Sequence, residues 1–202
     1  MTRIAVLVSG GGTNLQALID AEKAGKMPHG DIVLVVASRP DAYALERAKN
    51  AGIESVVVRR KDYENPEDYD KAMIDVLRSH DIEEVILAGF LSILGHSVIE
   101  AYPQRILNIH PSLIPSFCGK GYYGLKVHEA ALARGVKVTG ATVHYVNEIP
   151  DGGEIVLQKA VEIMDGDTPE VLQRRVMEQA EWILLPEAAE MVAERIEKEN
   201  ER

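Results

Sequence analysis

The chain has 202 residues, 46% of them hydrophobic, and its 32 acidic against 22 basic residues give a formal net charge of −10. That length suits one α/β domain with a substantial core, whereas two domains would each be small. The acidic balance opposes sequence-independent attraction to phosphate backbones, and no uninterrupted apolar run approaches the roughly 20 residues that cross a bilayer, so nucleic-acid and membrane partners are not expected. A single cysteine, Cys118, forms no intrachain disulfide, and no cationic start with an apolar run opens the chain, so a cytoplasmic location is expected.

Ile4 to Val8 is apolar on both faces and reads as a central parallel strand. It breaks at Ser9-Gly10-Gly11-Gly12-Thr13-Asn14, after which Leu15, Leu18 and Ile19 recur at helical spacing. The glycine-rich turn therefore delivers a helix N-terminus, with Thr13 or Asn14 as cap and free N–H groups offered to an anion such as phosphate. No Gly-Lys-Ser/Thr follows, which excludes a Walker loop. Leu15 stands where a dinucleotide fingerprint needs its third glycine, and the next strand ends in Ser38-Arg39-Pro40 without a ribose-binding acid, which argues against a nicotinamide cofactor.

Ile32 to Ala37 is the second strand, leading to a helix with Ala44, Leu45, Ala48 and Ala51. Ser55 to Val58 is the third, before a helix from about Pro66 to Arg78. This alternation predicts a parallel sheet. Val85 to Ala88 is the fourth strand, and Gly89 to Leu94 after it is too apolar for an ordinary exposed loop, so it either lines a pocket or packs beneath a helix.

Ile106 to Ile109 carries the densest chemistry. Side chains two apart share a face, so Asn108 and His110 project together from the strand's carboxyl end, where open α/β sheets bind ligands. Pro111 and Pro115 keep the following segment out of helical geometry. Taken alone, Asn-x-His fits a capped strand end with a surface histidine better than a site. Ser116 to Gly124, with three glycines and three aromatics, reads as a mobile lid in which Lys120 is solvated and Cys118 is an apolar filler.

His128 is expected to begin an alanine-rich helix ending at Gly135. Val138 to Val146 and Ile155 to Val161 are further strands joined by Asn147 to Gly153. Within them, His144 reads as a packed, hydrogen-bonded histidine and Asp151 as a turn former. A last helix starts at Thr168, is interrupted near Pro186 and continues to Arg202.

Ser9 to Leu15, Leu87 to Leu91, Asn108-Ile109-His110-Pro111-Ser112-Leu113-Ile114-Pro115, and Thr142 to Val146 with Asp151-Gly152-Gly153 together resemble the folate-dependent phosphoribosylglycinamide formyltransferase family, over nearly the whole chain. The resemblance implies one formyltransferase domain over residues 1–202: an α/β fold with a Rossmann-like, mostly parallel sheet, flanking helices and a C-terminal antiparallel strand pair. The phosphate-binding half would span about 1–105 and the folate and catalytic half about 106–202. It further implies formyl transfer from 10-formyltetrahydrofolate, as donor co-substrate, to the amine of glycinamide ribonucleotide in de novo purine biosynthesis, by a monomer or homodimer without a metal.

Residue by residue, the resemblance gives Asn108, His110 and Asp151 catalytic roles, with His144 in support. Gly12, Thr13 and Asn14 match the phosphate loop, while Leu91, Ser92, Ile93, Leu94, Asn108, Asn147, Glu148 and Ile149 match the folate pocket. Glu181 best matches a late-helix acid that contacts the ribonucleotide, although the preceding spacing is one residue long and Trp182 replaces a frequent histidine. Ser92 and Pro66 stand where better-known members carry ligand-contacting arginines, with Lys120 or Arg60 as candidate substitutes, and the Gly119 to Gly124 lid is longer than theirs. Chemically, a neutral amine attacks the formyl carbon, Asn108 and protonated His110 donate to the developing oxyanion, and Asp151 steadies the imidazolium and accepts the amine proton through water.

Alternatives within this chemistry are another amine acceptor, as in methionyl-tRNA formyltransferases, or water, as in formyltetrahydrofolate deformylases. The first family adds a C-terminal tRNA-binding domain and the second an N-terminal regulatory one, and neither fits in this length. A catalytically silent folate-binding module is disfavoured because Asn108, His110 and Asp151 are all present.

Overall fold

The computed structural model describes residues 1–201. Its strands are β1 (Thr2–Val8), β2 (Gly30–Ala37), β3 (Glu54–Val57), β4 (Glu84–Leu87), β5 (Ile106–His110), β6 (Val138–Tyr145) and β7 (Ile155–Glu162). They form one seven-stranded sheet in the order β3-β2-β1-β4-β5-β6-β7. The first five run parallel, whereas β6 lies antiparallel to both β5 and β7, giving the expected mixed sheet.

Helices α1 (Thr13–Lys23), α2 (Ala44–Ala51), α3 (Pro66–Ser79), α4 (His96–Ala101), α5 (Leu125–Arg134), α6 (Pro169–Val176) and α7 (Trp182–Asn200) cover the sheet. The period-two alternation of β1 explains its uninterrupted apolar sequence. Ile4, Val6 and Val8 pack with Leu15 and Leu18 of α1 and Leu185 and Val192 of α7, while Ala5 and Leu7 pack on the other face with Tyr69, Met73 and Leu77 of α3. Burying each of these larger side chains contributes about 1.5–3 kcal/mol relative to exposure.

Local chemistry sets several helix ends. Asn65 caps α3 by accepting the Asp68 N–H at 2.8 Å, with Pro66 at its first position, and Thr168 caps α6 in the same way through Val171. α1 departs from expectation, since its cap is Gly12 and neither Thr13 nor Asn14 makes a side-chain cap bond. Gly12 sits at φ +71°, and a Cβ there would lie 2.7 Å from the Ala44 Cβ, so the turn depends on glycine for both conformation and space.

The helix expected to begin at His128 begins at Leu125, because it is entered from Gly124. His128 is fully buried one turn in, and that burial brings its pKa down to about 4. The short helix α4 was not expected. The interruption placed near Pro186 lies instead at a π turn, Met177–Glu181, between α6 and α7. A π turn closes its hydrogen bonds one residue further on than an α turn, so it absorbs the additional residue noted before Glu181. Pro186 is accommodated within α7 near its start, and the expected helix end at Arg202 lies outside the described residues. Among the described residues no helix is long and apolar enough to cross a membrane.

Candidate active site

The antiparallel register of β5 and β6 sets Asn108 opposite His144, joining residues far apart in the chain. Asn108 Nδ2 lies 3.0 Å from His144 Nε2 and 3.4 Å from Asp151 Oδ1. On the other side of the carboxylate, His110 Nδ1 is 3.4 Å from Asp151 Oδ2. Asn108, His110, His144 and Asp151 thus meet at one carboxylate at the carboxyl end of β5. His144 gives its Nδ1–H to the Tyr145 carbonyl at 2.8 Å, which frees Nε2 to accept from Asn108.

His110 Nε2–H donates to the Phe117 carbonyl at 2.9 Å, so its remaining nitrogen, Nδ1, is the one that faces Asp151. Burial holds its pKa below the ordinary imidazole value, outweighing the Phe117 carbonyl and the Asp151 charge, both of which favour the cation. The ring of the empty pocket is therefore neutral near pH 7, and a proton for Nδ1 has to arrive during the reaction. Burial pushes the Asp151 carboxyl up, but the Gly119 N–H bond and the adjoining His144 and His110 rings more than offset it, leaving its pKa below the usual carboxylate value. An ionised base thus faces a neutral ring.

The turn that presents Asp151 is shaped by contact with β6. Asp151 has φ +54°, and a Cβ on Gly153 would lie 1.7 Å from the Tyr145 carbonyl oxygen. Only glycine lets the turn approach so closely. The Tyr145 N–H bonds the Glu154 carbonyl at 2.8 Å beside a register shift between Val143 and His144, which folds the turn back over the histidine. Asn147 holds the turn from within, donating to the Gly152 carbonyl and accepting the Ile149 N–H.

A cavity of about 180 Å³ opens beside these groups, lined by Leu91, Ser92, Ile93, Leu94, Asn147, Glu148 and Ile149 together with Asn108, His144 and Asp151. Leu91 is 66% and Ile93 83% exposed, so the mouth offers apolar surface to a flat ligand. Ser9 Oγ accepts the Leu91 N–H at 2.8 Å and ties this loop to the end of β1. The expected lid is anchored at its root: Phe117 bonds His110, and the Gly119 N–H donates to Asp151 Oδ2 at 2.8 Å. Burial pushes the Cys118 thiol up, away from thiolate chemistry.

The Gly12 to Asn14 turn lies at the carboxyl end of β1. Asn14 reaches across the molecule, its Nδ2 donating to Glu181 Oε2 at 2.8 Å, while its own Oδ1 is buried without a partner. Burial raises the Glu181 carboxyl to about 7, against the lowering effect of the Asn14 bond. Arg47 of α2 donates to the Gly11 carbonyl at 2.8 Å and holds the turn from outside.

Residues 2–188 match the family model described as formyl transferase. The chain belongs to the formyl transferase family. It is 40% identical over 196 residues to the chloroplastic phosphoribosylglycinamide formyltransferase of Arabidopsis thaliana, covering 96% of this chain and 66% of that protein. The chain spans 62% of the corresponding Vigna unguiculata protein. Among solved structures it is similar to glycinamide ribonucleotide transformylase 1 from Symbiobacterium toebii, at 42% identity and TM-score 0.89, covering 96% of this chain and 88% of that one. It is also similar to phosphoribosylglycinamide formyltransferase from Bacillus halodurans, at 37% identity and TM-score 0.87, covering 95% of each chain.

Within this formyl transferase, Asn108, His110 and Asp151 come together, and every residue expected of the folate pocket lines the one cavity beside them. Asn147 does so while spending its side chain on the turn. Arg60 does not stand free as an arginine substitute, because it bonds the Tyr63 carbonyl and lies over the Tyr69 ring. Sequence reasoning missed Arg47, whose position on a helix face carries no local signal. A larger cavity of about 710 Å³ lies between α1 and α7 and includes Thr13 and Trp182. It contains none of the residues around Asp151, so it is not where the formyl chemistry is sought.

Proposed function

We propose that this chain transfers the formyl group of 10-formyltetrahydrofolate to the amine of glycinamide ribonucleotide, a step of de novo purine biosynthesis. The observation that carries the reading is the meeting of Asn108, His110 and Asp151 at 3.4 Å contacts beside the pocket of Leu91 to Leu94 and Asn147 to Ile149. The pterin end of the donor would sit in that pocket, and the ribonucleotide's phosphate would sit on the N–H groups of Gly12, Thr13 and Asn14, with Glu181 beside it. The whole of 1–202 is read as one domain, a phosphate half at about 1–105 and a folate and catalytic half at about 106–202, the second half lending Glu181 to the first.

In the reaction the neutral amine attacks the formyl carbon, and the carbonyl electrons move onto oxygen. Asn108 donates to that oxyanion directly. The amine proton passes, through water, to the ionised Asp151 and on to His110 Nδ1, the nitrogen that faces it at 3.4 Å. The imidazolium so formed keeps its Nε2–H on the Phe117 carbonyl and turns its Nδ1–H from Asp151 to the oxyanion. As the tetrahedral centre collapses, the bond from the formyl carbon to the folate nitrogen breaks and that nitrogen takes up the proton. Every charge that develops meets a protein group, so no metal is required. The formal net charge of −10 supports small-molecule partners rather than nucleic acid, and we assign the protein to the cytoplasm as a monomer or homodimer.

The test offers the purified protein 10-formyltetrahydrofolate with glycinamide ribonucleotide, methionyl-tRNA or water alone as acceptor. Donor consumption that depends on the ribonucleotide is expected. Equal consumption with water alone would assign a deformylase instead, and binding without consumption would assign a silent folate-binding module.

A further inference from the structure

Glu181 closes the π turn Met177–Glu181 and is buried against the phosphate turn. Three observations converge on it. Its Oε2 accepts from Asn14 at 2.8 Å, the Asn14 Oδ1 beside it is buried and unpartnered, and Thr13 reaches the first residue of the π turn at Met177 Sδ, 3.7 Å away. Single π turns recur at functional sites because they re-aim one side chain without displacing the rest of a helix. Here that side chain is an acid aimed at the place where an anion is expected, a contradiction if both are charged.

We propose that Glu181 serves the phosphate turn as the neutral acid, so that a phosphate monoester dianion docks together with one proton. The inference rests on the reading of Gly12 to Asn14 as the phosphate site. In the empty protein Glu181 titrates at about 7. A dianion arriving beside it repels the carboxylate and favours the acid form, whose O–H donates to a phosphate oxygen while Oε2 keeps the Asn14 bond.

No neighbouring charge competes for the role. From α1, Asn14 and Thr13 contact the turn, and β6 and β7 pack on it through the apolar cluster that joins Ala141, Val143 and Val161 to Ala180. On the same helical stretch, Arg174 pairs with Glu178 and Arg175 with Asp167. Arg47 is spent on the Gly11 carbonyl and Gln16, and His144 of β6 turns to Asn108 and Asp151. Burial and the Asn14 bond alone set the Glu181 titration.

The test is calorimetric titration with ribose 5-phosphate at pH 8 in two buffers of different ionisation enthalpy, which counts protons exchanged. The ligand's second ionisation, near 6, is then complete and contributes almost nothing. Uptake of about 0.9 proton per ligand is expected at pH 8, changing to a net release of about 0.4 at pH 6, where Glu181 is already mostly protonated and half of the ligand has to lose its own proton to dock as the dianion. Glu181→Gln, which keeps shape and a hydrogen-bond donor, should bind with no uptake at pH 8 and release only the ligand's own half proton, about 0.5, at pH 6. Binding to the wild type with no uptake at pH 8 would overturn the linkage and leave the phosphate turn standing. Persistent uptake in Glu181→Gln would move the proton to another group and overturn the assignment. Failure of ribose 5-phosphate to bind at all would instead remove the phosphate turn itself, and the linkage with it.

Discussion

Asp151 Oδ2 lies 3.4 Å from His110 Nδ1, on the opposite side of the ring from the bond that Nε2 makes to the Phe117 carbonyl. The imidazole is thus held between a carboxylate and a carbonyl, and both favour the cation that burial disfavours. Removing the carboxylate's charge takes away one of the two supports. Asp151→Asn should therefore move the His110 titration further below its already lowered value, read by NMR of the ring protons. An upward shift would mean that Asp151 does not act on this ring.

The phosphate turn can be probed without disturbing the fold. A Cβ at Gly12 would strike Ala44 at a left-handed φ, so replacement there mixes stability with binding, whereas a Cβ at Gly11 meets nothing within 4 Å. Gly11→Val should raise the ribonucleotide KM tenfold or more, about 1.4 kcal/mol, with little change in the folate KM or in Tm. Gly12→Leu should lower Tm as well. Equal effects of Gly11→Val on both substrates would count against a phosphate at this turn.

Gly153→Ala tests whether the closeness of the turn to β6 is what presents Asp151. Its methyl would need the space of the Tyr145 carbonyl at 1.7 Å, so the backbone has to move. A stability loss on the order of 3 kcal/mol is expected, with a fall in kcat larger than the change in folate affinity. Wild-type stability and kcat would show that the turn shifts freely.

Much of the architecture was readable because it rests on local pattern. The unbroken apolar run of β1, the Asn65-Pro66 and Thr168-Pro169 helix starts and the β5 motif each carry their signal within a few residues. What escaped depends on contacts between distant segments. Asp151 looks like a turn former in sequence, and it is one; its place beside His110 follows from the register shift at His144 and from a glycine fitted against Tyr145. Asn14 was read as a cap because its partner, Glu181, is 167 residues away. The interruption assigned to Pro186 belonged to the π turn before it, since proline is tolerated near a helix start where few N–H groups have partners.

Hydrogen exchange separates the two parts of the lid. Phe117 and Gly119 are tied to His110 and Asp151, whereas Lys120 to Tyr123 are exposed. Amides from Lys120 to Tyr123 should exchange quickly in the empty protein and slow on adding a donor analogue with the ribonucleotide, while the Gly119 amide should be protected in both states. Unchanged exchange across Phe117 to Tyr123 would contradict a lid that orders on binding.

The central claim is that the charge of Asp151 acts on the transition state of formyl transfer and little on either bound ligand. The direct measurement is kcat for Asp151→Asn, with equilibrium binding of both ligands, beside His110→Asn and the double variant. A fall in kcat of about 10²–10⁴ is predicted for each single change, with ligand affinities little altered and a double variant that falls short of the product of the two losses. Near wild-type kcat in Asp151→Asn, or a loss confined to folate binding, would reduce Asp151 to the turn former it resembles in sequence and leave the reaction without its base.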